Sequence, residues 1–302
     1  GHIDFVLGYI ATEVVEDAII ILPDVYNGLV VSSKNHQFHY YRTYYYNGYL
    51  AGLKNRVGFV LNLIRIKRIM YSIDYCDIEY LSFDELVFCL LGIKNSNLLV
   101  HNNIAKALNS SIKLGCLRWL SRNNILLALD RRQIDYLIKE FKCNTKLIRH
   151  PRRKFLANSV RIIESSYLLF INSKSTDRVL LIEILSASSF IAYAKENNFK
   201  IVIKGKSFNI DLPIDVIFIE HYLSDSEYDS LISHASCLIL TYLEEFELRF
   251  SSVVYQCMNN NAKFTVNNVV EGMVSFKEFG NEIPLYRNIP ELISQIDRCK
   301  ND

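Results

Sequence analysis

From Val202 to Asn268 the chain repeats one pattern: a short apolar run rich in β-branched residues, a polar or glycine break, then a helix-like segment. The runs are Val202-Ile-Lys-Gly-Lys206, Val216-Ile-Phe-Ile219, Ala235-Ser-Cys-Leu-Ile-Leu-Thr-Tyr242 and Ala262-Lys-Phe-Thr-Val266. Continuous apolar runs alternating with helical segments predict a parallel sheet with crossover helices. Ligands of such sheets sit outside the carboxyl ends of the strands, where the polar breaks fall.

The same pattern extends in both directions. Tyr167 to Ile171 is an expected strand leading to a helix over Arg178 to Asn197. Upstream, Ile3 to Gly8, Ala18 to Leu22, Asp77 to Leu81, Leu98 to Val100 and Ile125 to Leu129 are expected strands, and Thr145 to Ile148 leads to Arg149-His150-Pro151. Ser82-Phe-Asp-Glu85 reads as a capping box and Asp130 as the cap of a helix ending at Phe141. Gly52 to Tyr71 is an expected helix with Val57, Val60, Leu61, Ile64 and Met70 on one apolar face. Phe38 to Tyr46 is an aromatic cluster that either stacks on an acceptor sugar or, the plainer reading, belongs to a strand pair burying alternate rings.

Order and spacing over roughly residues 167 to 270 resemble the nucleotide-sugar-binding half of GT-B glycosyltransferases, closest to glycosyl transferase group 1 (family 4). The carrying segments are Ile203-Lys-Gly-Lys206, Phe218-Ile-Glu-His-Tyr-Leu-Ser-Asp-Ser-Glu227, Ala235 to Tyr242, and Arg249-Phe-Ser-Ser-Val-Val-Tyr-Gln256. The resemblance implies an α/β protein of two Rossmann-like domains with parallel sheets facing across a cleft. The expected division is 1–152 for the acceptor side, 153–288 for the donor side, and a C-terminal helix over 289–302 that crosses back to the first domain.

The resemblance also implies a site. His101, at the end of a strand, faces the donor sugar, and Arg249 clamps the diphosphate. Donor-binding positions are Ser173, Lys174, Lys204, Gly205, Lys206, His221, Tyr222, Leu223, Tyr242, Glu245, Ser251, Ser252 and Gln256. Ser251 and Ser252 open a helix whose amino end suits a pyrophosphate. Two departures stand out: the arginine usual just after the first strand of this half is replaced by Asn172 or Ser173, and the second motif glutamate is Gln256.

Composition narrows this reading. The 302 residues suit two domains, and half are hydrophobic, enough for sizeable cores. No run reaches the roughly 18 apolar residues of a membrane span, and Gly1-His2 reads as an expression remnant rather than a signal peptide. Seven scattered cysteines without a C-x-x-C pair read as small buried hydrophobes in a reducing compartment. A net charge of +2 argues against a nucleic-acid partner. Lys142, Lys146, Arg149, Arg152, Arg153 and Lys154 form an acid-free run at the domain junction, which would attract a phosphate-bearing ligand. The acid-free stretch from Lys54 to Met70 is either a solvated face or a peripheral contact with an anionic membrane surface.

The function expected from these readings is transfer of a sugar from a nucleotide-sugar to a glycan or lipid-linked saccharide in surface polysaccharide synthesis, retaining, without metal or cofactor, in the cytoplasm or at the inner membrane face. The alternatives are a non-catalytic GT-B binding or regulatory partner and a sugar-nucleotide epimerase.

Overall fold

A computed structural model describes residues 2–12, 14, 18–23, 27–29, 36–41, 51–71, 78–100, 103–156, 161–208, 211–244, 248–270 and 283–301. Contacts divide the chain into two units, Gly1–Pro151 and Arg152–Asp302.

The first unit opens on α1 (His2–Thr12), where the sequence pattern predicts a strand over Ile3 to Gly8. The alternative periodicity wins because Phe5, Tyr9 and Ile10 fall on one helical side and are all buried. Tyr9 stacks on Phe5 at 5.8 Å and donates its hydroxyl to Glu79 at 2.8 Å. β1 (Ile19–Pro23) and β2 (Gln37–Tyr41) form a separate parallel pair with Ile20 opposite Phe38. Of the expected aromatic cluster, Phe38 packs toward Ile10 and Leu22 while Tyr40 is exposed; residues 42–46 lie outside the described set.

After α2 (Ala51–Tyr71) come β3 (Glu79–Tyr80), α3 (Glu85–Leu90), β4 (Asn97–Leu99), α4 (Asn103–Leu108), α5 (Ser111–Asn123), β5 (Ile125–Ala128), α6 (Arg131–Phe141) and β6 (Thr145–Leu147). The strands make a parallel sheet in the order β3-β4-β5-β6. Leu98, Leu99, Leu126 and Leu127 are buried in it, and Phe88, Leu117, Leu120 and Leu137 of the helices are buried too. Asp130 caps α6 as expected, accepting from the Arg132 amide at 2.8 Å. Asp84, rather than Ser82, caps α3, accepting from the Leu86 and Val87 amides at 3.1 Å, so the helix starts later than the capping-box pattern places it. The unit closes on His150, buried against Phe5 at 5.2 Å. Burial pushes its pKa down to about 4, and the neutral ring donates from Nδ1 to the Pro151 carbonyl.

The second unit contains β7 (Tyr167–Asn172), α7 (Arg178–Ser186), α8 (Ser188–Glu196), β8 (Lys200–Gly205), β9 (Val216–Ile219), α9 (Asp225–Ser233), β10 (Cys237–Leu240), α10 (Ser252–Asn259), β11 (Phe264–Asn267), β12 (Leu285–Tyr286) and α11 (Ile289–Asn301). The helix expected over Arg178 to Asn197 is two helices, because Ala187 adopts an extended conformation between them. All six strands are parallel, ordered β12-β11-β10-β7-β8-β9. Winding therefore reverses between β7 and β10, which makes their carboxyl ends the switch point of a doubly wound sheet.

One core is built on Leu168, Phe170, Ile201, Ile203 and Ile239, against Leu181, Ile184 and Phe190. The final helix α11, expected to cross back to the first domain, buries Leu292, Ile296 and Cys299 in this same core. Its apolar stripe is thus occupied within the second unit.

The segment after Pro151 is sewn to α9 and α10. Arg153 forms a bidentate ion pair with the fully buried Asp229 carboxylate, which also accepts from the Leu156 amide at 3.1 Å. Asn259 and Asn260 each donate to the Arg153 carbonyl at 2.9 Å.

Candidate functional site

The loops after β7, β8, β9 and β10 leave the carboxyl edge of the second sheet. The two at the switch point, after β7 and β10, are laced by an antiparallel bridge between Thr176 and Tyr242. Asp177 donates its amide to the Thr241 carbonyl at 2.8 Å, and Leu243 to that of Ser175 at 3.1 Å. Inside the first loop, Thr176 donates to the Ile171 carbonyl and accepts from the Ser173 amide, both near 2.7–2.8 Å. This turn leaves the Ser173 and Lys174 side chains exposed.

On the β10 side, Tyr242 is buried and its backbone is held from both directions by the side chain of Asn267, which ends β11: Asn267 Nδ2 donates to the Tyr242 carbonyl at 2.8 Å and Oδ1 accepts from the Tyr242 amide at 2.9 Å. The Tyr242 hydroxyl lies 2.8 Å from that of Ser251. Burial pushes this phenol's pKa up, so it stays protonated. Ser251 is the buried cap of α10, accepting from the Val254 amide at 3.1 Å. Ser251 is therefore committed to the helix start, while Ser252 is half-buried in the first turn, where amides point outward along the helix axis. Arg249 is half-buried two residues before the cap, and Gln256 is buried within α10.

On the β8 side, the three expected residues separate by role. Lys204 donates to the Ile219 carbonyl at 3.3 Å and to that of His221 at 2.9 Å, so its ammonium ties down the loop after β9. Gly205 has φ +143° and faces the Asn172 carbonyl across the last register pair of β7 and β8. Lys206 carries an exposed side chain. In the loop after β9, Tyr222 is 89% exposed and available for stacking, whereas Leu223 is turned inward and buried. Glu220 accepts from the Ser207 amide at 2.9 Å; hydrogen bonding from the Ser207 side chain first and its backbone second, with the Lys206 charge as a smaller cause, lowers its pKa.

Arg178 belongs to this edge and escaped the motif reading, which named Asn172 only as standing where an arginine is usual. Asn172 is buried, donates to the Lys206 carbonyl at 2.7 Å and accepts from Arg178 Nε at 3.2 Å. A guanidinium is thereby returned to the end of β7 from six residues downstream, near the position where the resemblance expects an arginine. A signal existed: Arg178 opens α7 directly after its cap Asp177, and a cation in a first turn opposes the helix dipole.

His101 and Glu245 lie outside the described residues. Just beyond His101, the Asn103 side chain donates to the buried Glu85 carboxylate at 2.7 Å and to the Phe83 carbonyl at 3.1 Å. A polar hollow of about 500 Å³, lined by residues such as Asn97, Arg122, Asn124 and Lys142, lies at the amino ends of β4 to β6. It is at the opposite end of that sheet from the edge where the fold places ligands.

No family model matches the sequence, and no curated protein matches it. Solved structures do. A UDP-forming α,α-trehalose-phosphate synthase from Burkholderia xenovorans is similar at TM-score 0.58 and 9% identity, over 94% of this chain and 91% of that one. The corresponding enzyme from Burkholderia vietnamiensis is similar at TM-score 0.55 and 8% identity, over the same shares. TarM is similar at TM-score 0.47 and 13% identity over 68% of this chain, which spans 44% of TarM's length. The near-complete coverage of the two synthases, together with two Rossmann-like units of parallel sheet, gives this chain the GT-B fold.

Proposed function

We propose that the protein is a glycosyltransferase that moves a sugar from a nucleotide-sugar to a glycan or lipid-linked saccharide, in surface polysaccharide synthesis, with retention and without a metal ion. The observation that carries this reading is the switch-point edge of the second unit. There Gly205 has no side chain where the Asn172 carbonyl packs against it, and Asn172 presents Arg178 beside the turn bearing Lys206. Together with the first turn of α10 and Arg249, these groups would meet the charge that develops on a departing nucleoside diphosphate. Lys204 is left out of that set, since its donors serve backbone carbonyls.

The test is thermal unfolding with UDP, GDP, dTDP and CMP, with UDP first because the two synthases are described as UDP-forming. At about 100 times its dissociation constant the cognate nucleotide stabilises by roughly 2.7 kcal/mol, a shift of several degrees. Arg178→Ala is expected to weaken that binding about tenfold or more while the unliganded transition stays in place. No shift with any nucleotide would sink the transferase reading. Gln256 in place of a motif glutamate, with Lys204 committed to structure, supports the second reading of a GT-B partner that binds donor without turnover. A nucleotide shift without sugar transfer, or with a new sugar epimer from donor alone, would select that partner or an epimerase.

Helix α2 supports a membrane contact as part of this proposal. Leu63 faces inward, but Leu53, Val57, Leu61 and Ile64 are 62%, 52%, 50% and 40% exposed along one stripe, reversing the inward face expected of an apolar stripe. Exposed Lys54, Arg56, Arg65 and Arg68 flank it. Among the described residues no helix is long and apolar enough to cross a membrane. The expected result is co-flotation with vesicles rich in phosphatidylglycerol, weakened by salt and by Val57→Glu with Leu61→Glu. Equal recovery with neutral phosphatidylcholine vesicles, or none with either, would refute the contact.

A further inference from the structure

Two thiols of the second unit lie against each other without a role in the candidate site. Cys237 opens β10 and is fully buried; Cys299 stands near the end of α11 and is 9% exposed. Their sulfurs are 3.4 Å apart although 62 residues separate them in sequence. Neither is joined in a disulfide. A disulfide needs a separation of about 2.05 Å, so closing the gap asks for roughly 1.4 Å of combined movement. Each thiol also donates to a backbone carbonyl, Cys237 to that of Leu238 and Cys299 to that of Phe264, both at 3.7 Å.

We propose that Cys237 and Cys299 form an oxidative modification site, closing to a disulfide that staples α11 to β10 when the protein meets a peroxide. The Cys299 thiolate, on the less buried residue, attacks one oxygen of hydrogen peroxide. A sulfur–oxygen bond forms, the oxygen–oxygen bond breaks, and the departing hydroxide takes up the thiol proton as water. The Cys237 sulfur then attacks the sulfenic sulfur: the disulfide forms, the sulfur–oxygen bond breaks, and hydroxide leaves with the second thiol proton as another water. The thiols lose two electrons and the peroxide gains them.

Burial governs the rate. Only the thiolate is nucleophilic, and desolvation, with the neighbouring Cys299 as a smaller cause, raises the pKa of Cys237. The pair therefore responds to sustained exposure rather than to a brief pulse. Its effect is mechanical, because the closed loop includes α10, β11 and β12. In the first unit Cys116 faces Cys89, so the products of the two pairs must be read separately.

The experiment treats the full chain with hydrogen peroxide, removes it with catalase, alkylates remaining thiols in denaturant and maps peptides by mass spectrometry. The expected product is a peptide pair joined at Cys237 and Cys299, accompanied by a Tm rise of about 5–10 °C that dithiothreitol reverses. Cys299→Ala should abolish both the cross-link and the rise while the reduced protein still unfolds cooperatively. Should that variant fail to fold, Cys299→Ser provides the same comparison. The proposal is overturned if both residues stay alkylatable while the half-buried cysteines oxidise. It is equally overturned if the cross-link appears only in denaturant, or brings no Tm gain.

Discussion

Asp229→Ala is expected to destabilise the second unit by about 3–5 kcal/mol. The carboxylate has no solvent exposure and serves three donors: both terminal nitrogens of Arg153 and the Leu156 amide. Alanine would leave the amide without this acceptor and a guanidinium only 24% exposed without its counter-charge. The intact pair need not be worth that much over an apolar substitute, since both charges were desolvated to form it. The expected cost comes from removing one partner. Urea unfolding should show the midpoint fall, with a coupling energy in the cycle with Arg153→Met. A loss below about 1 kcal/mol, the range of exposed ion pairs, would mean that solvent reaches this junction.

A methyl group at position 205 is expected to cost about 3 kcal/mol or more and to remove nucleotide binding with it. Two terms add. At φ +143° a side chain is strained wherever it points, and the Cβ of alanine would meet the Asn172 carbonyl oxygen at 2.2 Å and its Cβ at 2.9 Å. The obstacle is backbone of the neighbouring strand, so relief requires β7 and β8 to part at their last register pair. That movement displaces Asn172, and with it the hold on Arg178 and on the turn carrying Lys206. Gly205→Ala examined by unfolding and by nucleotide thermal shift tests both halves. Unchanged stability with retained binding would show that the edge is plastic and that the arrangement around Asn172 is not needed.

The strands of the second unit were legible because a strand buried on both faces carries an unbroken apolar run, as in Tyr167 to Ile171 and Cys237 to Leu240. The first unit's start was less so. Ile3 to Gly8 contains residues that suit a strand, and only burial of Phe5, Tyr9 and Ile10 together selects the helix. Ala187 breaks a helix without glycine or proline, so nothing local announced the break. At the candidate edge, Gly205 was legible as the break that ends an apolar run. The lysines beside it did not sort themselves: only three dimensions show Lys204 spent on carbonyls. Arg178 was missed because its guanidinium reaches the edge by folding back through Asn172, a contact that linear spacing does not encode.

The chain between the units is narrow. Gly8 lies so close to Pro151 that an added Cβ would meet the proline ring at 2.4 Å, and His150 is packed on Phe5, so the chain belongs to the first unit through Pro151. By Arg153 it is fastened to Asp229, Asn259 and Asn260 of the second. Arg152 stands between the two sets of anchors. The second unit therefore begins at this residue, and an exchange of that unit between proteins of this fold would carry Arg153 together with its partners or break both.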